Sequence, residues 1–368
     1  WTTNLIVMSY WQKILVFLTC VSFMCSCGGT ETSSDDNFVF EETIDLVGEE
    51  VFANELYWIV DVAGPYIFFE QNANQNELYH VYNAADMTFL GEVGKRGQGP
   101  GEFYGAQYSG QSENRSGEIS IWVNDAPRFR ISSINITASL RLGETVINRS
   151  IRHHPRYNFQ NALFVLGESK LVGHQPGFIP ETNLNPLNIL NDDVLRPIGD
   201  YPEISNIEEV SGGERRSKVF NKAAVAMKSD QSRFVVAMGY YDRLDIYDVQ
   251  GMLVKSLRDP MKYVSYNAHE IFDADTRLIH GIQFYKTLTV TDNFIYAVYH
   301  DRKLNVDTDK NKFSTEIRVF DWDGEMKYLL KCEEDLFSIA VDEKNGWIYS
   351  NDSFEDKFMR YNISSILD

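Results

Sequence analysis

The stretches LDIYDVQGMLV at 244–254 and IRVFDWDGEMK at 317–327 align without a gap, and their shared pattern decides the fold. In each, an alternating apolar and polar run ends at an aspartate, Asp248 or Asp321, and a glycine follows three positions later, Gly251 or Gly324. Aspartate can bond its own backbone two residues on, and glycine takes positive φ without steric penalty, so the pattern reads as a tight hairpin. A third copy, Tyr79 to Asn83 with Asp86 and then Thr88 to Val93, keeps the apolar-apolar-Asx order but lacks the glycine.

Upstream of each hairpin lies another pair of apolar runs: Tyr57 to Val62 with Tyr66 to Glu70, Val225 to Lys228 with Phe234 to Met238, and Leu288 to Thr291 with Phe294 to His300. Each unit is therefore a four-stranded antiparallel blade. Weaker units are Ile119 to Val123 with Phe129 to Ile136, then Leu163 to Leu166, Leu171 to His174 and Leu187 to Leu190. A last unit runs through Phe337 to Val341, Trp347 to Ser350 and Phe358 to Tyr361. The sum is an all-β, six-bladed β-propeller over residues 38–368, with about 55 residues per blade. The run Phe38 to Val47 is expected to complete the last blade and close the ring, which removes exposed sheet edges. Seven blades, or a pair of sandwiches, are the alternatives.

Composition agrees. Twenty-three Phe, twenty Tyr and six Trp suit pleated, half-buried surfaces. With 34 basic against 53 acidic residues the formal charge is −19, which repels a phosphate backbone and argues against nucleic acid as a partner.

The first 27 residues read as an address rather than as fold. Met8 is the expected initiator, Lys13 gives a positive start, Ile14 to Met24 form an apolar stretch too short to span a bilayer, and no acidic residue precedes Glu31. The stretch ends in Met24-Cys25-Ser26-Cys27-Gly28-Gly29, which resembles the lipobox of bacterial lipoproteins. That resemblance implies acylation at Cys27, with Cys25 the other choice, and a lipid anchor in the envelope of a Gram-negative bacterium at the outer membrane. Residues 28–37, GGTETSSDDN, contain no apolar side chain and read as a tether. Removal of residues 1–27 takes only Lys13 among the charges, and it leaves Cys332 with no cysteine to pair with once Cys27 is acylated.

Between the first two units stands Gly94-Lys-Arg-Gly97-Gln-Gly99-Pro100-Gly101-Glu102-Phe103. A phosphate loop would need a helix after it and a Lys-Ser/Thr pair, and neither follows. The string instead resembles the blade-to-blade link of NHL-type propellers, in which glycines permit tight turns and a Phe plugs the seam. Together with the lipobox and the six units, it resembles the TolB-like six-bladed propeller lipoproteins. That family is defined by fold and location, so the resemblance implies no catalytic residues.

Local catalytic and metal motifs are missing from the sequence: there is no HExxH, no Cys-x-x-Cys pair after the signal, and no G-x-S-x-G. No cofactor is expected. The adjacent pair His153 and His154 reads as loop surface. A channel cation, as some six-bladed propellers hold, would draw on Asp61, Asn124, Asp292 and Asp342 near inner strands. Trp58, Tyr240, Tyr241 and Trp322 could stack on sugar rings, with packing between blades the plainer role. The leading functional reading is a membrane-anchored, non-catalytic module that binds a protein or glycan partner. The alternative is a calcium-type lactonase or lyase with its site in the central channel.

Overall fold

The computed structural model describes residues 38–52, 58–71, 76–155, 162–174, 185–191, 194–210, 212, 220–259, 266–272, 281–303, 314–352 and 357–367. Residues 1–37, where the signal, the tether and acylation at Cys27 are expected, lie outside the described residues. Two short strands, β1 (Glu42–Leu46) and β2 (Gly48–Phe52), come first. Blade one is β3 (Trp58–Ala63), β4 (Tyr66–Glu70), β5 (Glu77–Asn83) and β6 (Phe89–Lys95); blade two is β7 (Ala106–Arg115), β8 (Glu118–Asp125), β9 (Arg130–Asn135) and β10 (Val146–Arg152). Blade three is β11 (Ala162–Leu166), β12 (Lys170–His174), β13 (Leu187–Asn191) and β14 (Val194–Ile198); blade four is β15 (Ala223–Met227), β16 (Arg233–Met238), β17 (Leu244–Asp248) and β18 (Leu253–Leu257). Blade five is β19 (Ile282–Val290), β20 (Phe294–Lys303), β21 (Thr315–Asp321) and β22 (Met326–Cys332), and blade six is β23 (Leu336–Asp342), β24 (Trp347–Asp352) and β25 (Lys357–Asn362).

The first strand of each blade touches the first strand of the next, and β23 touches β3, so the ring of six closes. Each of the six seams between blades holds its own apolar cluster. Phe68, Phe103 and Ile121 fill the first seam, Trp122 and Leu163 the second, Phe164 and Phe234 the third. Ile246 and Phe320 fill the fourth, Val319 and Ile348 the fifth, Phe69 and Tyr349 the sixth. A four-stranded blade cannot bury both its faces alone, and stacking around a ring buries all of them.

The two decisive hairpins have one geometry. Asp248 Oδ1 accepts the N–H groups of Gln250 (2.9 Å) and Met252 (2.8 Å), and Asp321 Oδ1 accepts those of Asp323 (3.0 Å) and Glu325 (2.9 Å). Gly251 and Gly324 sit at φ +83° and +84°. In the third copy Asn83 Oδ1 takes the Ala85 N–H at 2.9 Å, and the left-handed position falls to Met87 at φ +57°. That loop is one residue longer, which is why a glycine is missing from the aligned position.

The closure differs from the expectation for Phe38 to Val47. Blade six is completed by β2, which pairs antiparallel with β25 (Gly48 opposite Tyr361), a few residues later than the sequence suggested. The upstream residues join blade five instead: β1 adds a fifth strand, parallel to β22, with Glu42 opposite Tyr328 and Leu46 opposite Cys332. Hydrophobicity explains the placement. Phe38 and Phe40 enter the fourth seam, with Phe40 5.7 Å from Phe320, while Leu46 is buried in the fifth. One short segment thus straps blade five on both sides.

The two ends of the ring are built differently. At one end the strands are joined by short turns at 64–65, 116–117, 167–169, 249–252 and 322–325. At the other end lie the described strand ends between which the longer stretches 175–186, 199–222, 258–281 and 304–314 intervene in the sequence.

Candidate functional site

The glycine string behaves as a structural link. Phe103 is fully buried in the first seam, and its backbone bridges to Arg96. Glu102 folds back so that its carboxylate accepts the Gly99 N–H at 2.7 Å, and a Cβ on Gly97 would lie 2.1 Å from that same oxygen. Arg128 donates to the carbonyls of Glu102 (2.9 Å) and Gly97 (3.0 Å), and Arg130 stands 5.0 Å over the Phe103 ring while bonding Asp125 at 3.0 Å. The loop's polar groups are turned inward, towards its own backbone.

At the long-connection end, where the first strands of blades five and six meet, a charged cluster forms around Asp335. Arg302 grips this carboxylate with two bonds of 2.9 and 3.0 Å, Lys286 Nζ stands 3.9 Å away and donates to the Leu336 carbonyl at 3.1 Å, and buried His300 approaches to 3.7 Å. Burial raises the Asp335 carboxyl, but the Arg302 bonds and the charges of Lys286 and Arg302 outweigh it, so it is held below the usual range. Burial, reinforced by the same two cations, pushes His300 down to about 3 and keeps its ring neutral. The net charge of the cluster is then one positive unit. Beside it the Phe337 ring, 43% exposed, lies 4.8 Å beneath the Lys286 ammonium. The Lys286 side chain is largely buried, at 18% exposure, and the ring beneath it is the open partner; a cation held over an exposed aromatic face suits recognition of an acidic or hydroxyl-rich partner. No local motif announces this site, because its members, from Lys286 to Phe337, stand up to 51 positions apart in the chain.

The four channel candidates do not converge. Asp61 lies on β3 and receives the Tyr108 hydroxyl at 2.5 Å and the Val62 N–H at 2.8 Å. Asn124 is buried on the second strand of blade two. Asp342 ends β23, where it binds the Asn345 backbone and side chain at 3.1 and 2.6 Å. Asp292 bonds Ser229 across two turns at the short-turn end. Among the described residues no group of three His, Cys, Asp or Glu stands within metal-binding reach of one another.

Of the aromatic candidates, Tyr241 is fully buried and Trp322 nearly so, its indole N–H donating to the Thr291 carbonyl at 3.1 Å, so both serve packing. Tyr240 stacks on Phe220 at 5.0 Å and remains half-buried. Trp58 begins β3, and its side chain lies outside the described residues. The histidine pair is split: His153 is buried edge-on against Phe129, 6.0 Å away, in place of the expected surface position, and His154 is exposed. Trp322 and Asp292 do meet in an open groove of about 860 Å³ at the short-turn end of blades four to six, walled also by Phe294, Tyr328, Lys327 and Glu343.

The family model described as TolB-like 6-blade propeller-like matches residues 49–344. No curated protein matches the sequence. Among solved structures, a DUF4221-family member from Bacteroides vulgatus superposes with TM-score 0.54 at 14% identity, over 86% of this chain and 95% of that one. A Bacteroides fragilis protein named as exported gives TM-score 0.49 at 8% identity, over 87% and 98%. At these identities the likeness is one of fold.

Proposed function

Because this chain belongs to the TolB-like six-bladed propeller family, we propose that it works as an exported, lipid-anchored binding module that holds a protein or glycan partner at its long-connection end. The observation that carries this reading is the pairing of the exposed Phe337 ring with the Lys286 ammonium beside the Arg302–Asp335 clamp. Those groups are fixed by backbone and carboxylate contacts between two blades, so they are presented rigidly and lose little entropy on binding. The apolar signal-like stretch and Cys27 support anchoring through a thioether-linked lipid, in a Gram-negative envelope at the outer membrane.

The test is photo-crosslinking in whole cells from a photoreactive side chain at position 337 of the full chain, with a second site at exposed His154 as control. A discrete adduct from 337, weakened at least tenfold by Lys286→Gln, is the expected result. In parallel, a melting series with a bacterial glycan panel, EDTA and calcium identifies the class of partner. Equal labelling from both sites, or a melting temperature raised only by calcium, would overturn the binding reading in favour of a channel enzyme.

A further inference from the structure

Among the described residues, six of the eleven exposed large apolar side chains gather at one kind of connection, while Val39, Val47, Tyr104, Val254 and Phe337 lie elsewhere. Phe89 and Leu90 follow the second hairpin of blade one, and Leu142 (60% exposed) ends the helix α1 (Ile136–Leu142) that joins the last two strands of blade two. Val194 (67%) opens the outer strand of blade three, and Met252 (68%) with Leu253 occupies the second hairpin of blade four. All are at the connection between the third and fourth strands, and in an antiparallel blade that connection always falls at the same end, here the short-turn end. Four consecutive blades therefore carry an apolar projection on one rim.

From this we infer that the short-turn face rests on a lipid bilayer, with these side chains dipping into its interface. The spacing selects the occupant. Each projection is separated from the next by a whole blade, so a peptide or small ligand cannot engage the arc together, whereas a planar apolar surface engages all of it. The chain outside the fold agrees: between Cys27 and Phe38 stand only the residues 28–37, which reach at most about 35 Å when fully extended, so an acylated ring cannot leave the neighbourhood of the membrane. Carboxylates near the arc, such as Asp86 and Asp248, make zwitterionic lipid a better match than anionic lipid. This placement also turns the Lys286–Phe337 site towards solvent. It rests on the anchor reading for its proximity to lipid and on the arc alone for its orientation.

The experiment uses full-length acylated protein in phosphatidylethanolamine/phosphatidylcholine vesicles, with a solvatochromic dye on a single introduced cysteine in Leu142→Cys, Met252→Cys or, at the opposite end, Tyr104→Cys. Dyes at 142 and 252 are expected to shift to the blue and to be quenched at least twofold by spin-labelled lipid, and the dye at 104 to stay unaffected. Quenching at 104, or at none of the three while mass spectrometry confirms acylation and the protein co-floats with vesicles, overturns the orientation and leaves the anchor standing. An unmodified Cys27 with no flotation removes both. Burial of 142 and 252 in cell envelopes but not in vesicles would reassign the arc to a protein partner and overturn the lipid assignment.

Discussion

The Tyr108 hydroxyl donates a 2.5 Å hydrogen bond to Asp61 across the first seam, and it does so from one innermost strand to the next. Burial nonetheless outweighs this bond and the Val62 N–H, and lifts the Asp61 carboxyl from 3.8 to about 6. The neutral form is thus the one the folded ring favours. Its contribution is complete below about pH 3.8 and is lost as the pH rises through about 6. Asp61→Asn keeps one of the two acceptor oxygens, offers an amide N–H to the Tyr108 hydroxyl oxygen in place of the other, and removes the charge, so at pH 7.5 the variant should be more stable by about 2 kcal/mol. Urea midpoints at pH 4 and 7.5 measure it, with near-equality expected at pH 4.

His174 runs in the opposite sense. It is buried on β12 with Nδ1 2.7 Å from the Pro186 carbonyl, and burial lowers it to about 4 despite that bond. The neutral ring contributes stability that is present above about pH 6.5 and is lost as the pH falls through about 4, about 3 kcal/mol in all. In His174→Gln the acid limb of the stability profile should flatten by that amount, even if the variant is weaker at neutral pH. A profile as steep as that of the parent chain would contradict the assignment.

The paired hairpins should respond alike to the same changes. Asp248→Ala and Asp321→Ala each remove an oxygen that satisfies two backbone N–H groups, at a cost of about 1–2 kcal/mol. Gly324→Ala adds the strain of φ +84° and sets a Cβ 2.6 Å from the Lys255 stem, and Gly251→Ala sets one 2.7 Å from Ile198. Thermal melts of the four variants should show losses of a few degrees each.

Phe103→Ala is expected to cost about 3–5 kcal/mol, because the ring is fully buried in a seam that cannot collapse without moving a blade. Gly97→Ala should be nearly as damaging, since Glu102 would have to leave the Gly99 amide to make room. Glu102→Gln, which keeps an acceptor in place, should cost less than either. Calorimetry on the three variants ranks them.

Much of this architecture was legible because its signals are local. An aspartate and a glycine three apart, between alternating runs, specify a hairpin wherever they occur, and the Gly94–Phe103 string marks a seam. The strands that escaped notice are of two kinds. β7, AQYSGQSENR, is innermost yet polar, and it breaks register between Tyr108 and Ser112. β10 and β14 are outer strands whose side chains are half in water, and β14 carries Pro197, which an edge tolerates. The parallel pairing of β1 has no local signal at all, since it depends on where Phe38 and Phe40 find a seam. The Asp335 cluster was hidden for the same reason, and so was the common end of the apolar projections, which exists only once the blades share a strand order.

The strap formed by β1 and β2 also sets the order in which the molecule can be completed. Gly48 waits for Tyr361 as its strand partner, so the first elements made are among the last to be seated. At about 5–20 residues per second, the roughly 300 intervening residues keep β2 without its partner for about 15–60 seconds of synthesis. Contacts of such long range raise contact order and slow folding. Until β25 is delivered the ring stays open, so the native state is out of reach until the residues around Tyr361 have been made.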